Sequence, residues 1–421
     1  MKTTRTHSRP ASTPEPLRRG GLGLSALAAL LCCGAALSAQ VAPPAFTPLF
    51  DGTSLQGFEQ RGGKARYAVA DGCIVGTTVP ATPNSFLCTK RHFGDFELSY
   101  EFKIDAELNS GVQIRSHSTK SYKNGRVHGY QVEIDPDLRR NRLWTGGIYE
   151  EGRRGWLQDL SRNEAARKAF KPGEWNAIRV RAVGDSLRTW VNGVAAADLV
   201  DSMTLTGFIA LQVHGVGKRA DPLTVRWRNL RIADLGRHVW KPLFDGKSLQ
   251  GFGPAAAGFT VEDGALVARG RADRAEPSRV WLATPRRDRT LRLRFRVVKG
   301  RALLWFRAAA EDPRVGHYVE IDAGDGLGTV RGAGQQAPSA RPGAALLRKT
   351  VRAKQWNVLT VSVHGPRVVV HANDARLVDF VGEASSSGTR WGLEIPGGQE
   401  AELQFAAVDE LTPLPRPTVR R

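Results

Sequence analysis

Sulfur is scarce in this 421-residue chain: four cysteines and two methionines. Two of the cysteines, Cys32 and Cys33, fall in an N-terminal apolar run, which leaves only Cys73 and Cys88 for the rest. That excludes a disulfide-stapled scaffold and a thiolate metal centre. After Leu37 no apolar stretch approaches the ~20 residues that a helical membrane span needs. Helical periodicity is nearly missing; one short segment, Arg162 to Phe170, reads as a helix. Acid is in deficit, with 41 Asp and Glu against 61 Lys and Arg, a net charge of +20. Such an excess favours anionic surfaces. The arginines, however, are dispersed along strands and loops, as at Arg286, Arg287, Arg292, Arg294 and Arg296. No aromatic-rich basic motif accompanies them, so a specific nucleic-acid partner is not expected.

What is present is β-structure, preceded by an address. Residues 1–39 read as an export signal: a basic stretch ending in Arg18-Arg19, an apolar run from Leu22 to Leu37, then Ser38-Ala39. The expected location is therefore periplasmic or extracellular. Removing five bases and one acid with that segment leaves +16. The remainder carries many four- to eight-residue runs rich in Val, Ile, Phe and Trp, separated by Gly and Pro turns such as Asn192-Gly193. This predicts an all-β chain of antiparallel jelly-roll sandwiches.

The chain is also a repeat. Pro48-Leu49-Phe50-Asp51-Gly52-Thr53-Ser54-Leu55-Gln56-Gly57-Phe58 returns as Pro242 to Phe252 with a single change, Thr53 to Lys247. Trp175-Asn176 returns as Trp356-Asn357, and Asn192 as Asn373. Two tandem domains follow, 46–235 and 240–412, with a boundary near 234–239 and a basic tail at 413–421. The two modules are expected to pack together.

Alternation along three strands marks the candidate site. Successive side chains of a strand point to opposite faces. In Asn109 to His117, Gln113, Arg115 and His117 share the face opposite Val112 and Ile114. Gln131, Glu133 and Asp135 oppose Tyr130, Val132 and Ile134, and Gln212 and His214 share a face of a third strand. An ordinary wet sheet face is the simpler account of any one of these residues. Together they assemble an amide, a guanidinium, carboxylates and an imidazole. The second copy keeps Glu320 and Asp322 in place of Glu133 and Asp135, and Arg307 in place of Arg115. It has Leu303 for Gly111, Trp305 for Gln113 and Pro396 for His214, and so reads as a degenerate copy. Cys73 and Cys88 flank a turn-like segment, Pro80 to Asn84. A hairpin there sets them nearly opposite, so a disulfide and two buried free thiols both stand as readings.

The ordered series Leu49 to Phe58, Asp95 to Lys103, Asn109 to Arg115, Gly129 to Asp135, Thr145 to Tyr149, Trp175-Asn176, Asn192-Gly193 and Gly207 to His214 resembles the 3-keto-disaccharide hydrolase domain family. The resemblance runs over Phe46 to Leu235, and over Trp240 to Leu411 for the frame alone. It implies a concanavalin A-like jelly roll and activity on a saccharide or glycoside whose C3 hydroxyl has become a ketone. A C3 ketone acidifies the C2 hydrogen. Its removal gives an enolate that expels the C1 substituent, and water then adds back. That route needs a base, donors for the enolate oxygen and an acid for the leaving group. On this reading His214 is the base, Arg115 and Asn109 donate to the keto oxygen, and Glu133 and Asp135 protonate the leaving group or bind hydroxyls. Gln113, Gln131, Trp144, Tyr149 and Gln212 bind substrate, with Trp156 a further stacking surface. No cofactor is expected. A divalent metal held by His214 with Glu133 or Asp135 lacks any supporting ligand spacing but is left open. A non-catalytic saccharide-binding sandwich and a glucanase built on Glu133 and Asp135 are the competing readings.

Overall fold

The structure, a computed structural model, describes residues 45–137, 142–254, 258–312, 315–382 and 388–414. The expected signal segment and residues 415–421 of the tail lie outside the described residues. The apolar–polar alternation predicted from the sequence becomes strands throughout, and in each repeat they form two antiparallel sheets facing one another. In the first repeat the seven-stranded sheet runs, edge to edge, Gly155–Gln158, Ile148–Glu151, His128–Ile134, Ser110–His117, Phe208–Val213, Ser85–Thr89 and Phe58–Gly62. Its apolar face packs through Val112, Ile114, Val132, Ile134 and Leu211 onto Phe96, Leu98, Phe102, Val180 and Trp227 of the opposite sheet. The second repeat builds its own core from Leu293, Phe295, Leu304, Val319, Val361 and Leu393. Both are jelly-roll sandwiches, as the alternation and turn spacing predict.

No loop marks the domain boundary. A 19-residue strand, Thr224–Pro242, passes straight through residues 234–239. Its first half pairs with Asp95–Ile104 and its end with Ala401–Leu414, so one 15-stranded sheet contains the outer wall of both repeats. The chain accommodates the change of partner at Gly236, where φ is +96° and the register shifts. The helix lies at Glu164–Ala169, its N-cap Asn163 accepting from the Ala166 amide at 3.1 Å. A second, Ala344–Thr350, which periodicity did not reveal, occupies the same place in the second repeat.

The repeated sequence motifs are local staples. Asp51 Oδ1 accepts from the Thr53 and Ser54 amides, and Asp245 Oδ1 from those of Lys247 and Ser248. Asn176 closes a loop onto Lys171 and accepts from Asn192; Asn357 does the same with Arg352 and Asn373. Repetition at these positions therefore reports folding, not chemistry.

Of the two readings of the cysteines, the buried free thiols hold and the disulfide does not. Cys73 and Cys88 are free and buried. The residues between them do not form a hairpin: Cys73–Thr77 belongs to the outer sheet and pairs with Arg66–Ala70 and Thr224–Pro242, whereas Ser85–Thr89 crosses into the seven-stranded sheet. Turn residues at 80–84 serve a sheet-to-sheet crossover here.

Side chains also bridge the repeats. Buried Asp185 accepts from Thr290 Oγ1 at 2.7 Å and Ser362 Oγ at 2.6 Å, and faces His364 Nε2 at 2.9 Å. Burial opposes ionisation of Asp185, but these partners hold its pKa down to about 2. Burial likewise opposes charging of His364, yet Asp185 outweighs it and raises the imidazole above its ordinary value. This stabilisation is fully present below the ordinary histidine range and fades as pH rises through the raised folded value. Melting curves taken from pH 6 to 9 should fall more steeply for the native chain than for His364→Gln. Equal slopes would remove His364 from the pH response.

Candidate functional site

Outward-facing residues of the seven-stranded sheet, with loops 105–109 and 214–219, residues 135–137 and Arg142, enclose a cavity of about 920 Å3. Strand register fixes its floor. Gln212 pairs with Gly111, and Gly111 with Glu133, so the amide and the carboxyl flank a glycine across two strand spacings, roughly 10 Å. Gly111 is required there. A Cβ would lie 2.5 Å from the Gln131 side chain, which crosses above it. One step beyond the ladder's end come His214, Asn109 and Asp135, which all line the cavity together with Gln131, Tyr149 and Trp156.

Glu133 is the electrostatic centre. It is buried and receives two amide hydrogen bonds, from Asn109 Nδ2 and Gln131 Nε2, each at 2.7 Å. A relay stands behind the second: Ser116 Oγ donates to Gln113 Oε1, and Gln113 Nε2 to Gln131 Oε1. Burial nevertheless dominates and raises the Glu133 pKa to about 7, the two amides opposing and neighbouring Asp135 assisting. Asp135 is also raised by burial, against the pull of Arg142, whose Nη2 lies 2.8 Å from Asp135 Oδ2. Glu133 is thus a carboxyl poised to exchange a proton near neutrality. Gln212 is fully buried in the cavity wall, and neither its Nε2 nor its Oε1 has a hydrogen-bond partner among the described residues. His214 is exposed at the rim. Its Nδ1 lies 2.8 Å from the Gly215 carbonyl; a carbonyl only accepts, so Nδ1 carries the proton and the neutral ring presents Nε2 as its basic nitrogen.

Three expected site residues are placed elsewhere. Arg115 is fully buried and turns away from the cavity: Nε donates to Gly94 O, Nη1 to Gly184 O and Nη2 to Asp95 Oδ1. The cause is a register shift between Ile114 and His117, with Arg115 at φ +47°, which breaks the alternation and aims the side chain between the sheets. Arg307, at φ +50°, binds Asp288 and Gly365 O in the second repeat. The pair is a scaffold clamp. Gln113 lies behind Gln131 and positions it. Trp144 packs edge-on against Trp156, centroids 4.9 Å apart, under the Arg142 guanidinium; Trp156 is the ring that reaches the cavity. The sequence reading passed over Arg126, Arg142, Glu151 and Arg219, all of which line the cavity. Arg126 is paired with Glu151 at 3.0 Å, Arg142 with Asp135, and Arg219 with Glu107 and Asp221. Only Glu151 sits in a strand, two residues after Tyr149, and alternation assigns it to the same face; the others come from loops, where no periodicity exists to read. His92, His117 and His128 cluster with ring centroids 5.7 and 6.2 Å apart. No group of three or more His, Cys, Asp or Glu among the described residues is arranged to hold a metal ion, and no described helix is long and apolar enough to cross a membrane.

The sequence model of 3-keto-alpha-glucoside-1,2-lyase-like domains matches residues 45–233 and again 239–405, and the chain belongs to that family. Solved structures similar to it include two of a presumed glycosyl hydrolase from Parabacteroides distasonis ATCC 8503. One is 22% identical with a TM-score of 0.33 and covers 45% of this chain and 94% of its own. The other is 24% identical with a TM-score of 0.32 and covers 45% and 100%. The carbohydrate-binding module CBM66 of Bacillus subtilis is 14% identical with a TM-score of 0.29 and covers 42% and 96%. No curated protein matches the chain.

Proposed function

We propose that the first repeat cleaves the glycosidic bond of 3-keto-glycosides by proton abstraction at C2, and that the chain does so after export. The observation that carries this is the convergence of Glu133, His214 and the Gln212 amide, which has no hydrogen-bond partner among the described residues, on one cavity large enough for a disaccharide. His214 Nε2 takes the C2 proton. The electron pair moves into the C2–C3 bond and onto the C3 oxygen, where Gln212 Nε2 donates the hydrogen bond expected of Arg115 and Asn109, the latter's amide being held by Glu133. Collapse of the enolate breaks the C1–O bond, and protonated Glu133 delivers its proton to the departing oxygen. Water then adds at C1 and a proton returns to C2, completing hydrolysis. Tyr149 and Trp156 face the ring, and Asp135, held by Arg142, is left for hydroxyl recognition. Asp185 and the shared strand Thr224–Pro242 support the two repeats acting as one packed body.

Gln212→Leu tests the oxyanion assignment. It should lower kcat on a 3-keto-disaccharide by about 10²- to 10³-fold with little change in KM. Stability should hold or rise, because a buried amide with no partner among the described residues is replaced by an apolar side chain. A loss of stability with unchanged kcat would make Gln212 structural. His214→Ala should depress kcat by about 10²- to 10⁴-fold and leave binding of the keto sugar in place; full turnover by that variant would take His214 out of the reaction.

A further inference from the structure

The second repeat carries, on the face that corresponds to the cavity floor of the first, three rings in one cross-strand row, Trp281, Trp305 and Tyr318, of which Trp305 is buried and the other two are half-buried. Trp281 pairs with Gly392, Gly392 with Trp305, Trp305 with Tyr318, and Tyr318 with Arg331. The row therefore crosses all five strands of that sheet. Trp305 and Tyr318 stand with centroids 5.0 Å apart. Gly392 lets Trp281 lie across the sheet, since a Cβ there would come within 2.6 Å of its indole. These rings are separate from the core: Leu303, Trp305 and Ala308 form their own cluster, against which Trp281 and Tyr318 pack half-buried. In the first repeat the same row reads Cys88, Ala210, Gln113, Gln131 and Tyr149. The amide pair that supports Glu133 has become Trp305 and Tyr318, and Leu303 stands at the position where Gly111 lies beneath the Gln131 side chain.

The carboxylates beside the row are occupied. Glu394 receives Trp305 Nε1 at 2.9 Å and pairs with Arg279; Glu320 pairs with Arg331 at 2.6 Å. Tied to arginines, they are unsuited to donate a proton, but with those arginines they offer hydrogen-bond donors and acceptors along both sides of an apolar strip. We infer that this face is a second, non-catalytic saccharide site that binds gluco-configured pyranose rings of an oligosaccharide. Glucopyranose carries its substituents equatorially, so both ring faces are flat C–H surfaces that stack on electron-rich aromatic faces, while the rim hydroxyls meet the arginines and glutamates. From Trp281 to Arg331 the row covers four strand spacings, roughly 19 Å, a length for about three linked rings. The saccharide identity draws on the reading of the first repeat as saccharide-active; the stacking geometry does not.

Calorimetric titration of the full chain with maltohexaose and with cellohexaose tests this without requiring turnover. The native chain should bind at least one of them. Trp281→Ala and Tyr318→Ala should each weaken binding tenfold or more, whereas Tyr318→Phe and, in the first cavity, Tyr149→Ala should leave it in place. Should Trp281→Ala fail to melt cooperatively, the half-buried Tyr318 pair decides. No binding of either sugar by the native chain overturns the inference. So does binding that Tyr149→Ala abolishes and the Tyr318 and Trp281 changes spare, which would place the sugar in the first cavity alone.

Discussion

Glu133→Gln will melt at a higher temperature than the native chain above neutrality while losing most of its activity. The native carboxyl has a folded pKa of about 7 against an ordinary value of 4.5. An acid whose pKa is raised by folding binds more protons folded than unfolded, so stability declines as pH rises from 4.5 through 7. The full shift corresponds to roughly 3 kcal/mol of destabilisation at pH 8, which a neutral amide does not incur. Part of the gain is returned. Asn109 and Gln131 both donate to Glu133, and a glutamine can accept from only one of them unless the other amide turns over. The difference in melting temperature between variant and native chain should accordingly be small at pH 4.5, grow up to about pH 7 and level off. Turnover should drop by about 10²- to 10⁴-fold, the contribution of a positioned proton donor. In the native chain, turnover should decline above pH 7 as Glu133 loses its proton. A variant that is destabilised at every pH, or that retains native turnover, removes Glu133 from the chemistry.

Arg115→Met should act in the opposite sense, costing stability and sparing chemistry. The guanidinium binds Asp95, Gly94 O and Gly184 O, and Asp95 in turn holds the Gly184 amide at 2.9 Å and His238 Nδ1 at 2.6 Å. Removing the cation leaves a buried carboxylate and two carbonyls short of donors, a loss of about 3–5 kcal/mol. The fraction that still folds should turn over substrate with native kcat. A variant of native stability whose kcat alone collapses would return Arg115 to the active site.

The contrast between these residues explains how much the sequence disclosed. Period-two alternation placed Gln131, Glu133 and Asp135 correctly because the strand His128–Ile134 keeps its ladder unbroken against Ser110–Ile114. It misplaced Arg115 because the bulge at 114–117 inverts one residue, and nothing in the local composition announces a bulge. The repeat held a partial signal: Arg115 persists as Arg307 in a copy that replaced Gly111, Gln113 and His214, as a scaffold residue can, but Glu133 and Asp135 persist as Glu320 and Asp322 too, so persistence alone does not separate clamp from site. Asn176 and Asn192 persist as loop staples, as Asn357 and Asn373 do. The disulfide reading failed for a topological reason, since turn residues serve a sheet-to-sheet crossover as well as a hairpin. Loop residues such as Arg142 and Arg126 gave no warning, because loops carry no period and tertiary packing alone brings them to the cavity. The all-β class, the two sandwiches and most of the cavity floor were legible because each rests on repetition or alternation.

The central claim is that a C3 ketone is what this cavity is built to use. Supplying the full chain with a 3-keto-disaccharide and, separately, its unoxidised parent, and following release of the monosaccharides, tests it most directly. The account predicts cleavage of the keto sugar alone, abolished by Glu133→Gln. Cleavage of the parent at a comparable rate, or an inert keto sugar bound without turnover, would contradict it.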